Sequence, residues 1–183
     1  MEQPIQITET GGRFLVTPIT DTNIFTREDF TEEQHEIQEM VQGFCTEHIA
    51  PVKEELEKKD KDLTFSLLRK IAELGLLGIA VPEEYGGMEL DNITAAIVAE
   101  ASSYSECSSF VVTWSTNLGI GSLPIVWFGT PAQKEKYLPR LIDGTCIGAY
   151  GLTEPSAGSD ALSAKTTAVL SEDGKHYILN GEK

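Results

Sequence analysis

The residues with the clearest chemical potential form one short segment, from Tyr150 to Asp160. It combines hydroxyl side chains with two glycines, Gly151 and Gly158. Such a loop can bring backbone N–H groups close to an anion or to a planar ring. Composition alone favours an ordinary turn, because Ser, Gly, Pro and Asp are common turn formers. These residue types therefore leave two interpretations open, an ordinary turn and a ligand-binding loop.

Two other familiar kinds of site are not expected. Cys45, Cys107 and Cys146 are odd in number, widely separated and without a C-x-x-C pair, and the three histidines are also scattered. This pattern predicts a reducing compartment and no bound metal. The pair Gly119-x-Gly121 matches only part of a dinucleotide-binding fingerprint, because the third glycine and a preceding strand are missing.

The composition favours an acidic protein of the cytoplasm. With 14 Lys and Arg against 29 Asp and Glu, the formal net charge is −15, which disfavours nucleic acid and anionic membranes as partners. No run of eighteen apolar residues occurs, so no transmembrane segment is expected. The first twenty residues lack the apolar stretch of a secretory signal and carry acidic side chains, which transit peptides avoid.

Hydrophobic periodicity predicts that helices fill the middle of the chain. Thr31 and Gln34 have capping-box spacing, and the apolar residues that follow recur at steps of three and four. Pro51 is expected to kink or end this first helix. Its predicted buried stripe consists of Ile37, Met40, Val41, Phe44, Cys45, His48 and Ile49.

Four more helices are expected before residue 145. The first of them is closed by Gly75, and the last has Pro131 at its first position, with Thr130 and Gln133 as a second capping box. The third of the four has few charges, so we expect it at the centre of the bundle. The four predicted helices are one with an apolar stripe over 63–74, one capped by Asp91 or Asn92 that reaches about Tyr104, a long one over 107–128, and one from Thr130 to about Asp143.

The pattern changes after residue 144. Residues 145–152 can be extended, and the runs 165–170 and 176–179 flank Asp173-Gly174, which is a hairpin signal. The last of these runs lies near the end of the sequence, where a strand at the edge of a sheet would expose unpaired backbone groups. We therefore expect a truncated β-domain.

The predicted fold class is therefore mainly α. It consists of an antiparallel helical bundle followed by the first strands of a β-barrel domain. The expected divisions are an irregular N-terminal arm over 1–30, the helical domain over 31–143 and a partial β-domain over 145–183.

Read as a whole, the 150–160 segment resembles the flavin-contacting signature of acyl-CoA dehydrogenases, Leu-Thr-Glu-Pro-x-x-Gly-Ser-Asp. Other segments similar to that family occur in the expected order along the chain, so the resemblance covers about residues 30–183. They are Leu-Gly-Leu-Leu-Gly-Ile and Val-Pro-Glu-Glu-Tyr-Gly-Gly in 74–87, Phe-Gly-Thr and Gln-Lys-Glu-Lys-Tyr-Leu-Pro in 128–139, and Tyr-Ile-Leu-Asn-Gly-Glu-Lys in 177–183. The runs 11–15 and 25–30 resemble the very-long-chain branch.

The resemblance implies an FAD-dependent enzyme of which this chain holds the N-terminal helical domain and the start of the flavin-binding β-domain. The implied reaction is α,β-dehydrogenation of a fatty acyl-CoA to a trans-2-enoyl-CoA, as in fatty acid β-oxidation, with electrons passed to an electron-transferring flavoprotein. The glutamate base lies downstream in the family, so no catalytic residue is assigned here. We expect the 183 residues alone to be inactive and to bind FAD weakly, and the full-length protein to be a homo-oligomer.

The resemblance also implies which residues contact the cofactor. Thr153 is expected to bond the pyrimidine edge of the flavin, which stabilises negative charge on the reduced ring. Ser159 is expected beside the cofactor and against the acyl-CoA, whereas Glu154 and Pro155 are expected to shape the turn. The implied cofactor contacts are Tyr150, Gly151, Leu152, Thr153, Gly158 and Ser159.

Residues 107–128 resemble the helix that lines the acyl pocket in this family. Gly119, Gly121, Ser122 and Pro124 are expected to set the depth of the pocket, and Gly121 and Ser122 are expected to contact the substrate. Close helix packing accounts for them equally well. Two other functions stay open: an acyl-CoA oxidase, which passes electrons to oxygen, and a non-enzymatic helical interaction module whose stripes serve only a bundle core.

Overall fold

Helices dominate the part of the chain that the structure describes. The computed structural model describes Pro18 and residues 25–183. The run 11–15, which resembles the very-long-chain branch, lies outside the described residues. No helix among them is long and apolar enough to cross a membrane. The helices are α1 (Glu32–Phe44), α2 (Lys53–Glu57), α3 (Lys61–Glu73), α4 (Asn92–Ala101), α5 (Ser108–Leu118), α6 (Leu123–Phe128) and α7 (Pro131–Ile142), with 3-10 turns at Arg27–Asp29, Ala50–Val52, Glu83–Tyr85, Ser102–Ser105 and Ala161–Ser163.

Helix starts lie where capping residues predict them. The Thr31 hydroxyl accepts a hydrogen bond from the Gln34 N–H at 3.2 Å, and the Gln34 side chain accepts one from the Thr31 N–H at 3.1 Å. Thr130 and Gln133 form the same reciprocal pair at the start of α7, with Pro131 at the first helical position. These caps satisfy backbone donors that have no partner inside the helix. Both predicted capping boxes are confirmed.

The first helix ends before Pro51 in an irregular turn. A π-helical turn, Cys45–Ile49, and a 3-10 turn, Ala50–Val52, connect α1 to α2. A proline ring clashes with the carbonyl four residues earlier, so the helix cannot keep its regular geometry there. The predicted stripe is correct for five of its seven positions. Met40 is 41% exposed and His48 is also exposed, so the prediction that they are buried is wrong.

The main core lies among α1, α3, α4, α5 and the loop that follows α3. Its largest side chains are Trp114 and Phe110 of α5, which are 1% and 2% exposed. A smaller apolar cluster lies beneath α6 and α7, around Val81, Leu138 and Leu141. The main core includes Ile37, Val41, Phe44, Ile49, Leu67, Leu68, Ile71, Leu76, Leu77, Ile79, Val98 and Ala101.

The predicted single helix over 107–128 is wrong, because the chain forms two helices there. The backbone leaves the helical region at Gly119, with φ −98° and ψ −103°. The turn that follows places Gly121 against another backbone, and Pro124 then lies in the first turn of α6. The expected central position holds for α5 alone, since Trp127 and Phe128 of α6 are 63% and 83% exposed.

After α7 the described chain contains one antiparallel hairpin. Strands β1 (Thr167–Leu170) and β2 (Tyr177–Asn180) pair with Leu170 opposite Tyr177. Gly174 has φ +67° in the connecting turn, a conformation that favours glycine. The hairpin and the mainly helical fold class are confirmed. Residues 145–152 pair with no strand in the described part of the chain, so the predicted extended run does not form a sheet.

Candidate functional site

The predicted cofactor segment, residues 150–159, runs over the surface after α7. Tyr150 and Leu152 are 52% and 42% exposed. Gly151, Thr153, Gly158 and Ser159 are exposed as well. The structure therefore brings all six predicted cofactor residues onto one accessible stretch of chain.

The first four residues of this segment have unused hydrogen-bond donors. Within residues 25–183, no protein group accepts a bond from the N–H of Tyr150, Gly151, Leu152 or Thr153, and the Thr153 hydroxyl is also unpaired. Exposed donors of this kind can bond water or the acceptor edge of a ligand. The carbonyl and imine acceptors of a ring are partners that such donors can bond.

The glycines of the segment have space around them. A Cβ added at Gly158 would meet nothing within 4 Å, and one added at Gly151 would only touch the stem of Lys183 at 3.9 Å. Neither glycine is among the residues with positive φ. The described protein therefore gives no steric reason for glycine at either position. Close approach of a ligand to the backbone supplies one.

Asn117 fastens the segment to the helical domain. Its side chain is 1% exposed. Its amide nitrogen donates to the Leu141 carbonyl at 2.9 Å, and its amide oxygen accepts from the Gly148 N–H at 2.7 Å. One side chain thus joins α5, the end of α7 and the residue two positions before Tyr150. A buried amide with both halves bonded strongly restricts the backbone that it joins.

The turn between α5 and α6 packs directly on this anchor. A Cβ at Gly121 would lie 2.8 Å from the backbone of Gly148 and 2.8 Å from the Thr116 carbonyl. Ser122 is 1% exposed, and its hydroxyl donates to the Leu118 carbonyl at 2.9 Å. The two predicted substrate residues therefore lie in tight backbone packing next to the candidate segment. Their predicted contact with substrate stays a prediction.

A second anchor lies at the other end of the segment, in the Glu154 carboxylate. Glu154 is 7% exposed and forms a small bridge with Ala157 that closes the turn. Its oxygens accept hydrogen bonds from the Lys165 N–H at 2.5 Å and the Thr166 N–H at 3.0 Å. The carboxylate therefore joins the turn to the chain that enters β1, which is the structural part expected of it.

Lys183 completes this anchor from the far side of the hairpin. Its ammonium group lies 2.9 Å from a Glu154 oxygen and donates to the Leu152 carbonyl at 3.0 Å. Donors from Thr166, the Lys165 N–H and the Lys183 ammonium lower the pKa of Glu154 from 4.5 to about 2. Glu154 is therefore ionised at neutral pH, and it holds its charge in a buried position.

The remaining predicted residues lie on the loop before β1. Ser159 is exposed, and the next residue, Asp160, accepts a hydrogen bond from the Ser163 hydroxyl in the turn that follows.

A cavity of about 380 Å³ lies elsewhere, between α2, α3 and α5, and neither Gly121 nor Ser122 lines it. Residues 25–183 hold no group of three His, Cys, Asp or Glu side chains placed to bind a metal ion.

Comparison with known proteins decides the family. Residues 31–145 match the family model described as acyl-CoA dehydrogenase, N-terminal domain. The chain belongs to the acyl-CoA dehydrogenase family. This confirms the resemblance on which the site residues were chosen.

Individual members of the acyl-CoA dehydrogenase family align with most of the length of this chain. A probable acyl-CoA dehydrogenase of Bacillus subtilis is 48% identical over 173 residues, which are 94% of this chain and 29% of that protein. The human very long-chain specific acyl-CoA dehydrogenase is 40% identical over 156 residues, 85% of this chain and 23% of that protein. A crystal structure of an acyl-CoA dehydrogenase complexed with FAD from Bacillus anthracis is 49% identical, with a TM-score of 0.86, over 93% of this chain and 29% of that one.

This chain therefore spans between 23% and 29% of the length of these acyl-CoA dehydrogenases. Sequence reasoning found the exposed segment and the structural part of Glu154, but it missed Asn117 and Lys183. A polar Asn117 inside the apolar helix α5 is a signal for a buried hydrogen-bonding role. Lys183 gives no such signal, because its partners Glu154 and Leu152 are 29 and 31 residues away in the sequence.

Proposed function

We propose that this chain supplies the helical domain and the flavin-contacting segment of an FAD-dependent acyl-CoA dehydrogenase. The observation that carries the proposal is the stretch 150–153. It is exposed and has unused donors, yet Asn117 and Glu154 fix the chain on either side of it. A generic bundle needs no such stretch, whereas preorganised donors are what a bound ring requires. The similar protein from Bacillus anthracis was crystallised with FAD, which supports the same cofactor here.

The residues present fit the cofactor. Tyr150, Gly151, Leu152 and Thr153 would lie against its ring, with the Thr153 hydroxyl donating to the pyrimidine edge, and Gly158 and Ser159 would lie beside it. Bound FAD would supply the acceptor for the hydride that leaves the β-carbon of a fatty acyl-CoA, which becomes a trans-2-enoyl-CoA. The donors of 150–153 would stabilise charge where it gathers, and the apolar face of Leu152 would exclude water.

The rest of the activity belongs to a longer protein. We assign no catalytic residue to this chain, and we place the base in a region that the relatives have and this chain does not cover. Ser159, Gly121 and Ser122 would contact the acyl-CoA. An electron-transferring flavoprotein would take up the electrons, and the complete enzyme would be a cytoplasmic homo-oligomer.

The test is an absorption spectrum of a longer protein that carries this chain. We expect a flavin band that bleaches without oxygen when an acyl-CoA is added, with the extent of bleaching ranking acyl chains of graded length. The 183-residue chain is the matched control and should show no turnover. A longer protein purified without FAD, and unable to retain added FAD, would contradict the proposal and favour a helical interaction module. Rapid reoxidation by oxygen would assign it to the acyl-CoA oxidases.

A further inference from the structure

Lys183 forms an ion pair unlike the others in the described chain. The pairs Arg27–Glu100 and Lys53–Glu106 join side chains that are at least 44% exposed, as surface pairs usually do. In the Lys183–Glu154 pair the Glu154 side chain is only 4% exposed, and the Lys183 side chain is 36% exposed. Exposed pairs contribute little, whereas removing one partner of a buried pair leaves an uncompensated charge.

The ammonium also touches the backbone of the candidate segment. Its second partner is the carbonyl of Leu152, at 3.0 Å, and the stem of Lys183 passes beside Gly151. Lys183 therefore contacts the same stretch whose N–H groups and Thr153 hydroxyl are free. Glu154, which carries a buried negative charge, directly follows Thr153 in the sequence. Lys183 is the cation that balances this charge.

We propose that Lys183 is a positioning residue that neutralises Glu154 beside Leu152 and Thr153, so that the segment can hold a ring which gains negative charge. The inference rests on the proposed FAD site. A bare carboxylate beside Thr153 would oppose the arrival of electrons on a neighbouring ring, because like charges repel more strongly where water is excluded. The cation removes this opposition and fixes the direction of the Leu152 carbonyl at the same time.

A purely structural staple makes a different prediction about sign. If Lys183 and Glu154 only held the loop in place, removing either one would loosen the loop in the same way. If their charges matter to the ring, removing the cation and removing the anion must shift its reduction potential in opposite directions. The double variant, which removes both charges, must return towards the wild type.

The experiment uses a longer, FAD-containing protein that carries this chain. The variants are Lys183→Met, Lys183→Arg, Glu154→Gln and the double variant Lys183→Met/Glu154→Gln. Lys175→Met removes the same charge from the hairpin turn and is the matched control. The measurements are the flavin reduction potential, from equilibration with redox dyes, and the FAD dissociation constant. Hydrogen exchange of peptides over 150–154 in the cofactor-free protein reports loosening of the loop.

We expect Lys183→Met to shift the potential to a more negative value and to weaken FAD binding. Glu154→Gln should shift the potential to a more positive value, and the double variant should lie between the two. Lys183→Arg should restore the wild-type potential, and Lys175→Met should leave it unchanged. Faster exchange over 150–154 in Lys183→Met should accompany the shift.

Three results would overturn the inference. An unchanged potential in Lys183→Met with FAD bound would overturn it alone and leave the FAD site standing. Shifts of the same sign in Lys183→Met and Glu154→Gln would reduce the pair to a structural staple. Absence of FAD from the wild-type protein would overturn the proposed function, and this inference with it.

Discussion

Replacing Asn117 with alanine tests how the candidate segment is held on the helical domain. The amide makes two hydrogen bonds from a site that is 1% exposed. Alanine removes both of them, and it leaves the Leu141 carbonyl and the Gly148 N–H without partners. It also opens a small space between α5 and α7.

The expected cost follows from the two abandoned groups. An unsatisfied buried donor or acceptor costs about 1–3 kcal/mol. Leu141 is buried, but Gly148 is only half-buried and can regain water. We therefore expect Asn117→Ala to lower the free energy of unfolding by about 2–4 kcal/mol. For a chain of this size that is a fall in the melting temperature of roughly 5–15 °C.

The assay is thermal and urea unfolding of the 183-residue chain, followed by circular dichroism. Ser115→Ala is the matched control, because Ser115 is an exposed polar residue of the same helix. Its loss should change stability by less than about 0.5 kcal/mol. Asn117→Asp keeps an acceptor for the Gly148 N–H but places a carboxylate against the Leu141 carbonyl. This variant should be at least as unstable as Asn117→Ala above the pKa of the new carboxyl.

Hydrogen exchange then shows where the stability is lost. In Asn117→Ala, peptides over 146–151 should exchange faster than in the control, while those of α1 change less. If Asn117→Ala unfolds at the same temperature and urea concentration as Ser115→Ala, the two hydrogen bonds do not hold the segment. The account of the anchor would then be wrong.

Three further predictions follow from the same geometry. Gly121→Ala should destabilise the chain by about 1–3 kcal/mol, because its Cβ would lie 2.8 Å from the Gly148 backbone. Gly158→Ala should leave the melting temperature nearly unchanged, since nothing lies within 4 Å of a Cβ there, yet it should weaken FAD retention in a longer protein; equal retention would remove the case for close ligand approach. The pKa of Glu154 is lowered from 4.5 to about 2 in the folded chain, so its stabilising contribution is complete above the ordinary value and is lost as the pH falls towards 2. In urea titrations, the stability difference between wild type and Glu154→Gln should therefore be constant above pH 5 and shrink below it, and a constant difference down to pH 2 would refute the shift.

The parts of the fold that could be predicted are those that neighbouring residues determine. Capping boxes at Thr31 and Thr130 join residues three positions apart, so the helix starts follow from the sequence itself. The Asp173-Gly174 turn likewise fixes the hairpin. Helix α4 was expected to reach about Tyr104, but its last turn tightens into a 3-10 turn after Ala101, as helix ends often do.

The errors lie where distant parts of the chain meet. Gly119, Gly121 and Pro124 disfavour one continuous helix locally. Nothing in the sequence near them shows that Gly121 packs against the backbone of Gly148. The exposure of Met40 depends on which helices cover α1, and periodicity does not contain that information. The residue types of the candidate segment leave a turn and a ligand-binding loop open, and the family resemblance favours the second. The contacts of Asn117 and Lys183 with the segment span about thirty residues.

The hairpin has a consequence for how the molecule moves. All eight residues of β1 and β2 are solvent-exposed, and an isolated two-stranded hairpin is at best marginally stable in water. In the 183-residue chain it should therefore open more often than the helices, by local unfolding. Because Lys183 follows β2, each opening detaches the ammonium from Leu152 and releases the segment into a wider range of conformations. Any partner that packs on the hairpin would then also make the adjacent loop more rigid, and so couple the two surfaces.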